Sequence, residues 1–485
     1  MSSSYTPDRP VSGGALLLLL VPLMLVSFIY TLDQTIVATT LPTIGRDFHS
    51  LSETSWVASA YLLTSAVSTL VFGKLGDMYG RKQIFQFALV VFLIGSALCA
   101  VAQNMPMLIF TRALQGIGGG GLGSLTQAIV GDLAPARSRS KYLAYVGIVA
   151  TVSLVSGPLL GGVFADDLSW RWIFIINLPI GIIAMAIVAS RLHLPVHRSE
   201  KSIDYPGAGV VTIFTASLLL VTVWGGDKYA WGSATIISLI VVAVLSLVGY
   251  VLIEARAAEA ITPLRLFRGQ VFGISFAQFG IATLVLFVPL LYIPEMREQV
   301  NGDSAFTAGL FVIPLMVGIV IGTMTCGQLI AKNGRYKMYP ILGSILTGVP
   351  MFLISRFTAS TPAVWLLLLL LVAGGGLGLL VQVALLAGQN DVAGGDLGVA
   401  TGALNFSKTL GGAIGSALFG AILIAGLHHQ AAPSVASYVH AYQNVFLWTV
   451  PFMVVSLVLG AAMREKPLSE EMIGVVEGKV EVPEY

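Results

Sequence analysis

Run after run of about twenty consecutive apolar residues fills this chain, and few folds tolerate such a pattern. A helix needs roughly 20 apolar residues to cross a hydrocarbon layer about 30 Å thick. Counting such runs gives fourteen spans, near residues 15–40, 53–73, 83–102, 106–131, 140–165, 171–190, 207–225, 232–253, 271–293, 306–330, 338–356, 363–387, 399–425 and 443–463. Only 10% of the 485 residues are charged, against about a quarter in an ordinary soluble protein. One aqueous core cannot hide that much apolar surface. In hydrocarbon every backbone N–H and C=O must be satisfied within its own segment, which helices do. The expected fold is therefore all-α and polytopic in a membrane.

Charge placement orients the spans. Gly73-Lys74-Leu75-Gly76-Asp77-Met78-Tyr79-Gly80-Arg81-Lys82 forms a short, basic, Gly-rich link between spans 2 and 3. So short a link makes its flanking helices antiparallel neighbours, and its cations mark the cytoplasmic side. With the N-terminus inside, nineteen of the 26 lysines and arginines fall in inside segments and five outside, while Arg112 and Lys408 stay within spans. This bias predicts an even number of spans with both termini in the cytoplasm. The start, Met1 to Pro10, lacks the charged segment and cleavage site of a signal peptide, so the first run is expected to remain as a helix.

Two echoes expose a repeat. Gly327-Gln328-Leu329 with Gly334-Arg335 copies Gly73-Lys74-Leu75 with Gly80-Arg81 at an offset of 254 residues. Gly375-Gly376-Leu377-Gly378 copies Gly120-Gly121-Leu122-Gly123 at 255. Parallel repeats of six helices around a midplane site are a transporter architecture. The division expected is a cytoplasmic N-terminus (1–14), a six-helix bundle (15–190), two inserted helices (207–253), a second six-helix bundle (271–463) and a cytoplasmic tail (464–485).

Charges deep in a span are costly and mark function. Asp33 in span 1, Arg112 in span 4 and Lys408 in span 13 qualify. Asp33 and Arg112 lie at matching depth, roughly 9–12 Å below the outer surface at 1.5 Å per residue, and are expected to share one aqueous cavity. Burial and a neighbouring cation push a carboxyl's proton affinity in opposite directions, which makes Asp33 the candidate proton-coupling site. Gln115 shares a helix face with Arg112. Asp77, whose repeat position is Ala331, is expected to cap span 3 or pair with Arg81 or the 132–141 loop, holding an inner gate shut with Gly73 and Gly80. In span 5, Gly157-Pro158 with Gly161-Gly162 combines a kink with close packing. Trp170 and Trp172 read as interface anchors, and Cys99 and Cys326 as packing residues.

Other classes find no support. Gly118-Gly119-Gly120-Gly121 lies within a span with no Lys-Ser/Thr after it, so it is no phosphate loop. The chain shows no metal motif, catalytic cluster or basic domain for nucleic acid.

Together these residues resemble the major facilitator superfamily, and within it the fourteen-span drug:proton antiporters. The link 73–82 is similar to the superfamily's span 2–3 signature. Leu32-Asp33-Gln34-Thr35-Ile36-Val37 with Leu41-Pro42 resembles the span 1 signature of fourteen-span exporters, and Trp170-Arg171-Trp172 through Pro179-Ile180-Gly181 fits that group. Arg112 with Gln115-Gly116 and Gly118 resembles the span 4 motif linked to proton transfer. Gly157-Pro158 with Gly161-Gly162 resembles the antiporter motif of span 5, with Ser153 and Ala144 where glycines are usual. The resemblance implies alternating-access export of lipophilic drug-like molecules, driven by the proton gradient without a cofactor. Short termini and the lack of large loops point to a bacterial inner membrane, and a monomer is expected. Its partners are the substrate, protons and the lipid bilayer. Because Asp33 is the carboxylate set well inside a span, with Glu295 a possible second, the expected substrates are neutral, zwitterionic or monocationic. Span position proposes Gln34, Tyr61, Gln115, Gln127, Gln278, Glu295, Gln382, Asn405, Phe406 and Lys408 as lining. Lipid export on the same fold is the alternative, and nutrient import is disfavoured by the Gly157-Pro158 motif.

Overall fold

The computed structural model describes residues 13–466 apart from 51–52, 134–135, 167, 193–203, 227, 258–259, 393–395 and 428–433. The expected terminal segments therefore lie outside the described residues up to residue 12 and beyond residue 466. Seventeen α-helical segments follow in order. The first seven are α1 (Gly13–Asp47), α2 (Thr54–Tyr79), α3 (Arg81–Ala100), α4 (Met105–Leu133), α5 (Ala136–Asp166), α6 (Trp172–Ile175) and α7 (Asn177–Arg191). Then come α8 (Tyr205–Trp224) and α9 (Ala234–Glu254). The remainder are α10 (Gln270–Met296), α11 (Ala305–Leu310), α12 (Ile313–Asn333), α13 (Met338–Ile354), α14 (Ala363–Asn390), α15 (Leu397–Leu427), α16 (Val435–Leu447) and α17 (Thr449–Ala462). Among the described residues the one departure from helix and loop is an isolated bridge between Gly225 and Tyr229.

Eleven stretches are long and apolar enough to cross a membrane, and α13 is a shorter apolar helix. The 29-residue α4 and 31-residue α5 are long too, but glycines and polar residues dilute their apolar character. Three of the eleven stretches are broken rods. α6 ends at Ile175, α11 at Leu310 and α16 at Leu447, and each end lies four residues before a proline: Pro179, Pro314 and Pro451. Proline has no N–H for the carbonyl four residues back, and its ring clashes there. The apolar run continues through each joint, where Ile176, Phe311 and Trp448 keep helical backbone angles and the ladder lacks only the bond proline cannot donate.

Helix packing forms two groups. In the first, α2 and α3 pack on α4, and α1 packs on α5 and α7. In the second, α12 and α13 pack on α14, α10 on α15, and α13 on α17. α8 and α9 pair with each other, and α8 also touches α2 and α15, one helix from each group. α9 is the least buried of the eleven stretches and turns Ile237, Val241, Leu245 and Val248 outward, as a lipid-facing helix must.

Close crossings hold each group together. A Cβ on Gly120 of α4 would strike the Ser65 backbone of α2, and one on Gly322 of α12 would strike the Gly375 backbone of α14. Backbone cannot yield as a flexible side chain can. Gly322→Ala should therefore destabilise the protein by about 1–3 kcal/mol, as overpacking does. Gly309→Ala, where a Cβ meets open space, should be neutral. Thermal unfolding of the two variants in detergent checks the contrast.

Candidate functional site

Arginine cannot be deprotonated in a protein, so a buried Arg112 requires an anion. Asp33 supplies it. Arg112 Nη1 donates to Asp33 Oδ2 at 2.5 Å, with side chains 1% and 0% exposed. Gln115 Nε2 donates to Asp33 Oδ1 at 2.9 Å, and Asn177 Nδ2 donates to the same oxygen at 3.2 Å. Gln115 Oε1 accepts from Arg112 Nη1 at 2.7 Å, and the Val57 carbonyl accepts from Arg112 Nε at 3.2 Å. Ser96 Oγ accepts from both Gln115 and Asn177 and donates to the Phe174 carbonyl. Rings close the top and side: the guanidinium carbon lies 4.3 Å from the centre of Tyr61 and 5.6 Å from that of Phe174. Five helices of the first group and the short α6 thus converge on one carboxylate. Both expected partners meet, but buried in helix packing rather than exposed in an open cavity.

Beside this pair lies a cavity of about 190 Å³. Its wall comes from both groups: Tyr30 and Gln34 of α1, Leu62, Ser65 and Thr69 of α2, and Gly119, Gly120, Gly123 and Ser124 of α4 on one side. Thr283 and Phe287 of α10, and Asn405, Lys408, Thr409, Gly412, Ala413 and Ser416 of α15, form the other, and α8 adds Leu219. Asp33 and Gln34 are chain neighbours with opposite duties. Tyr61 stands between pair and cavity, its hydroxyl against Gly119.

At the end bearing the 73–82 link, hydrogen bonds join the two groups. The Asp77 carboxylate accepts from the Gly398 and Val399 N–H groups at 3.1 and 2.9 Å. These are free N–H groups of the first turn of α15, where an anion also meets the positive end of the helix dipole. Arg81 Nη2 and Nε hold Asp77 at 2.7 and 3.1 Å, and Arg81 Nη1 pairs with Asp132. A Cβ on Gly73 would stand 2.6 Å from the Gly398 carbonyl oxygen, so α2 and α15 approach this closely only with glycine there. The second contact has the same plan. Ser140 Oγ of α5 donates to the Gly327 carbonyl of α12 at 2.8 Å, and Gln382 Nε2 donates to the Ser140 carbonyl at 2.6 Å. Gln127 Oε1 accepts from Asn405 at 2.7 Å.

A helical cavity between two bundles, closed at one end, is a carrier's geometry, and comparison with known proteins identifies which carriers. Residues 23–416 match the Major Facilitator Superfamily. The chain belongs to that superfamily. Over 465 residues it is 37% identical to an uncharacterized MFS-type transporter of Mycobacterium tuberculosis, covering 90% of this chain and 68% of that protein. It is 33% identical to the multidrug transporter protein MdtP of Bacillus subtilis, covering 84% and 75%. The MFS-type efflux pump MFS1 of Trichophyton rubrum is 31% identical, at 89% and 83% coverage. In fold, the crystal structure of the human organic anion transporter MFSD10 superposes with a TM-score of 0.63 at 17% identity, covering 94% and 99%. The major facilitator fold carries transporters, and this chain is an integral multi-pass membrane transporter rather than an enzyme.

Within this superfamily fold, the proposed lining residues divide. Gln34, Asn405 and Lys408 line the cavity. Gln115 and Tyr61 belong instead to the ion pair. Gln127 and Gln382 tie the groups together at the closed end. Gln278 is fully buried and donates to the Ser456 carbonyl at 3.0 Å, and Phe406 meets Phe214 of α8 with ring centres 6.4 Å apart. Glu295 sits at the far end of α10 beside Tyr292 and Tyr442. Asp77 binds Arg81 as expected of it, but caps α15 rather than α3. A Cβ on Gly157 would meet Thr35 Oγ1, so α5 and α1 touch two residues from Asp33, and Gly161 is buried on the same helix. The surroundings of Pro158 and Gly162, on the same helix, lie outside what is described.

Two site residues escape the sequence reading, Ser96 and Asn177. Asn177 lies in the segment whose Trp170 and Trp172 read as interface anchors, yet it is 0% exposed. Its signal was an amide inside an apolar run. Trp170 is also no anchor: it is buried and donates from Nε1 to Asp47 Oδ2 at 3.0 Å, whereas Trp172 is exposed. Removing one partner of a buried pair strands the other charge. Asp33→Leu or Arg112→Met alone should cost about 3–5 kcal/mol, and the double variant less than the two losses added. Unfolding midpoints of the four proteins in the same detergent measure that coupling.

Proposed function

We propose that the chain exports lipophilic drug-like molecules in exchange for protons, by alternating access in a bacterial cytoplasmic membrane, and acts as a monomer. The observation that carries this reading is the Asp33–Arg112 pair, sealed behind Tyr61 and backed against a cavity that both groups line. Its efflux-type relatives support the outward direction. In this reading the seventeen segments make fourteen crossings, with α6–α7, α11–α12 and α16–α17 each one broken rod. Two six-helix bundles flank the inserted α8 and α9, both termini lie in the cytoplasm, and the 73–82 end faces inward. The structure then represents the state closed to the cytoplasm.

The chemistry follows from the shared helix. α1 presents Gln34 and Tyr30 to the cavity and Asp33 to Arg112. Proton exchange at Asp33 needs water, and water reaches it when Tyr61 and α1 shift. A protonated Asp33 no longer pairs with Arg112 as an ion, which frees α1 to move with the halves. At the other end, the Asp77–Arg81–Asp132 chain holds the gate by charge-assisted bonds, which are stronger than neutral ones. No metal or organic cofactor enters this cycle; the proton gradient supplies the energy.

Asp33→Asn removes the proton carrier while keeping a side chain of the same shape. In liposomes with an imposed pH gradient, this variant should bind substrate yet lose gradient-driven accumulation. Accumulation equal to the parent's would sink the coupling role. Asp77→Asn should loosen the inner gate. With Cys99 and Cys326 replaced by alanine, a Leu397→Cys thiol should react several-fold faster with an impermeant maleimide in the Asp77→Asn background, and an unchanged rate would count against the gate.

A further inference from the structure

We infer that the cavity takes amphipathic organic anions, with the Lys408 ammonium as the group that holds the negative charge. The inference rests on the export reading for its direction of transport, while the ligand class comes from the cavity itself. It replaces the expectation of neutral or cationic substrates.

Lys408 is the charged residue in the cavity wall, and no carboxylate lines that wall. No hydrogen bond or ion pair engages Lys408 among the described residues. The obvious counter-ion is already committed: Asp33, next in sequence to the lining Gln34, is 0% exposed and holds Arg112, Gln115 and Asn177. Glu295 lies two helical turns beyond Phe287 on α10 and sits with Tyr292 and Tyr442. The site therefore offers one amine with no counter-ion among the described residues, and an anionic guest is what favours its charged form.

An ammonium held at membrane depth is costly, and such residues pair with an anion or mark an ion path. A monocation entering here would meet like charge. A neutral guest would displace water from Lys408 and give no anion in return. An organic anion compensates the charge, and its apolar body lies against Tyr30, Leu62, Leu219 and Phe287. Gln34 offers an amide at the same wall, while both N–H groups of the Asn405 amide are held by Gln127 and the Thr401 carbonyl. This combination of apolar surface with a few placed polar groups is how pockets fix a ligand's orientation.

The test uses a matched pair of permanently charged probes, naphthalene-2-sulfonate and a naphthyl trimethylammonium, so that neither changes charge with pH. Binding is measured by equilibrium dialysis on the purified full chain in detergent, without a gradient, and transport in liposomes with one. Wild type should bind the sulfonate at least about tenfold more tightly than the ammonium, as expected for a bond to a charged group. Lys408→Gln should erase that preference, and Lys408→Arg should keep it. Equal or tighter binding of the ammonium by wild type overturns the inference, as does binding of neither probe. An unchanged sulfonate preference in Lys408→Gln overturns it too. The wild-type ranking needs no variant, so poor folding of Lys408→Gln leaves the test intact. Sulfonate binding without gradient-driven transport would defeat the export reading and leave the ligand class standing.

Discussion

Arg112 cannot give up its charge, and much of the first helical group is arranged around that fact. A guanidinium buried within a helical bundle needs an anion, acceptors for its remaining N–H groups, and rings over its faces. Asp33, Gln115, Val57, Tyr61 and Phe174 provide these from α1, α2, α4 and α6. The Asp33 carboxylate in turn draws Asn177 from α7, and Asn177 draws Ser96 from α3. One fixed charge thus specifies the mutual register of nearly every helix in the group. It also explains why the pair is suited to switching: protonating Asp33 disturbs a network in which six helical segments share.

The closed end is symmetric in plan and asymmetric in chemistry. Gly73 meets Gly398, and 254 residues later Gly327 meets Ser140 and Ala144; Ala144 is the position that Gly398 repeats. Close packing is duplicated, whereas charge is not, because Asp77 repeats as Ala331. An ion-capped contact depends on local electrostatics, and a packed contact depends on shape. In the proposed cycle, joining one of each gives a gate in which a single chain of charges, Asp77–Arg81–Asp132, sets how firmly the closed state is held.

Relative level along the helices was legible in the sequence, and direction around each helix was not. Counting from span ends put Asp33 and Arg112 at one level, and chemistry did the rest, because an embedded aspartate and arginine at equal depth have strong reason to meet. Glutamines lack that compulsion. Gln127, Gln278 and Gln382 satisfy themselves with whatever their face of the helix meets, which is the opposite group for two of them and a carbonyl of α17 for the third. Each residue turns a helix by about 100°, so an error of one or two in register moves a side chain from cavity to core. Asn177 was hidden for another reason: its neighbours Trp170 and Trp172 resemble interface residues, yet the amide faces the interior and is fully buried. The breaks themselves were within reach, since each falls where a proline leaves a carbonyl without its donor, but a count of apolar residues runs straight through them.

The two embedded cations make an instructive contrast. Arg112 sits where its anion is built in, and Lys408 sits where none is supplied. A transporter needs its cargo site to be incomplete when empty, because a cavity already neutral gains little from an ionic guest. Exchange of a departing monovalent anion for an entering proton also moves two charges in the same electrical sense. An inside-negative potential then adds about 2.3 kcal/mol per charge for each 100 mV, so such a cargo draws on the voltage twice, whereas a departing monocation would cancel the proton's share. In the proposed exchange the fixed pair carries the proton and the open lysine takes the cargo, and α1 links the two places because Asp33 and Gln34 are consecutive residues facing opposite ways.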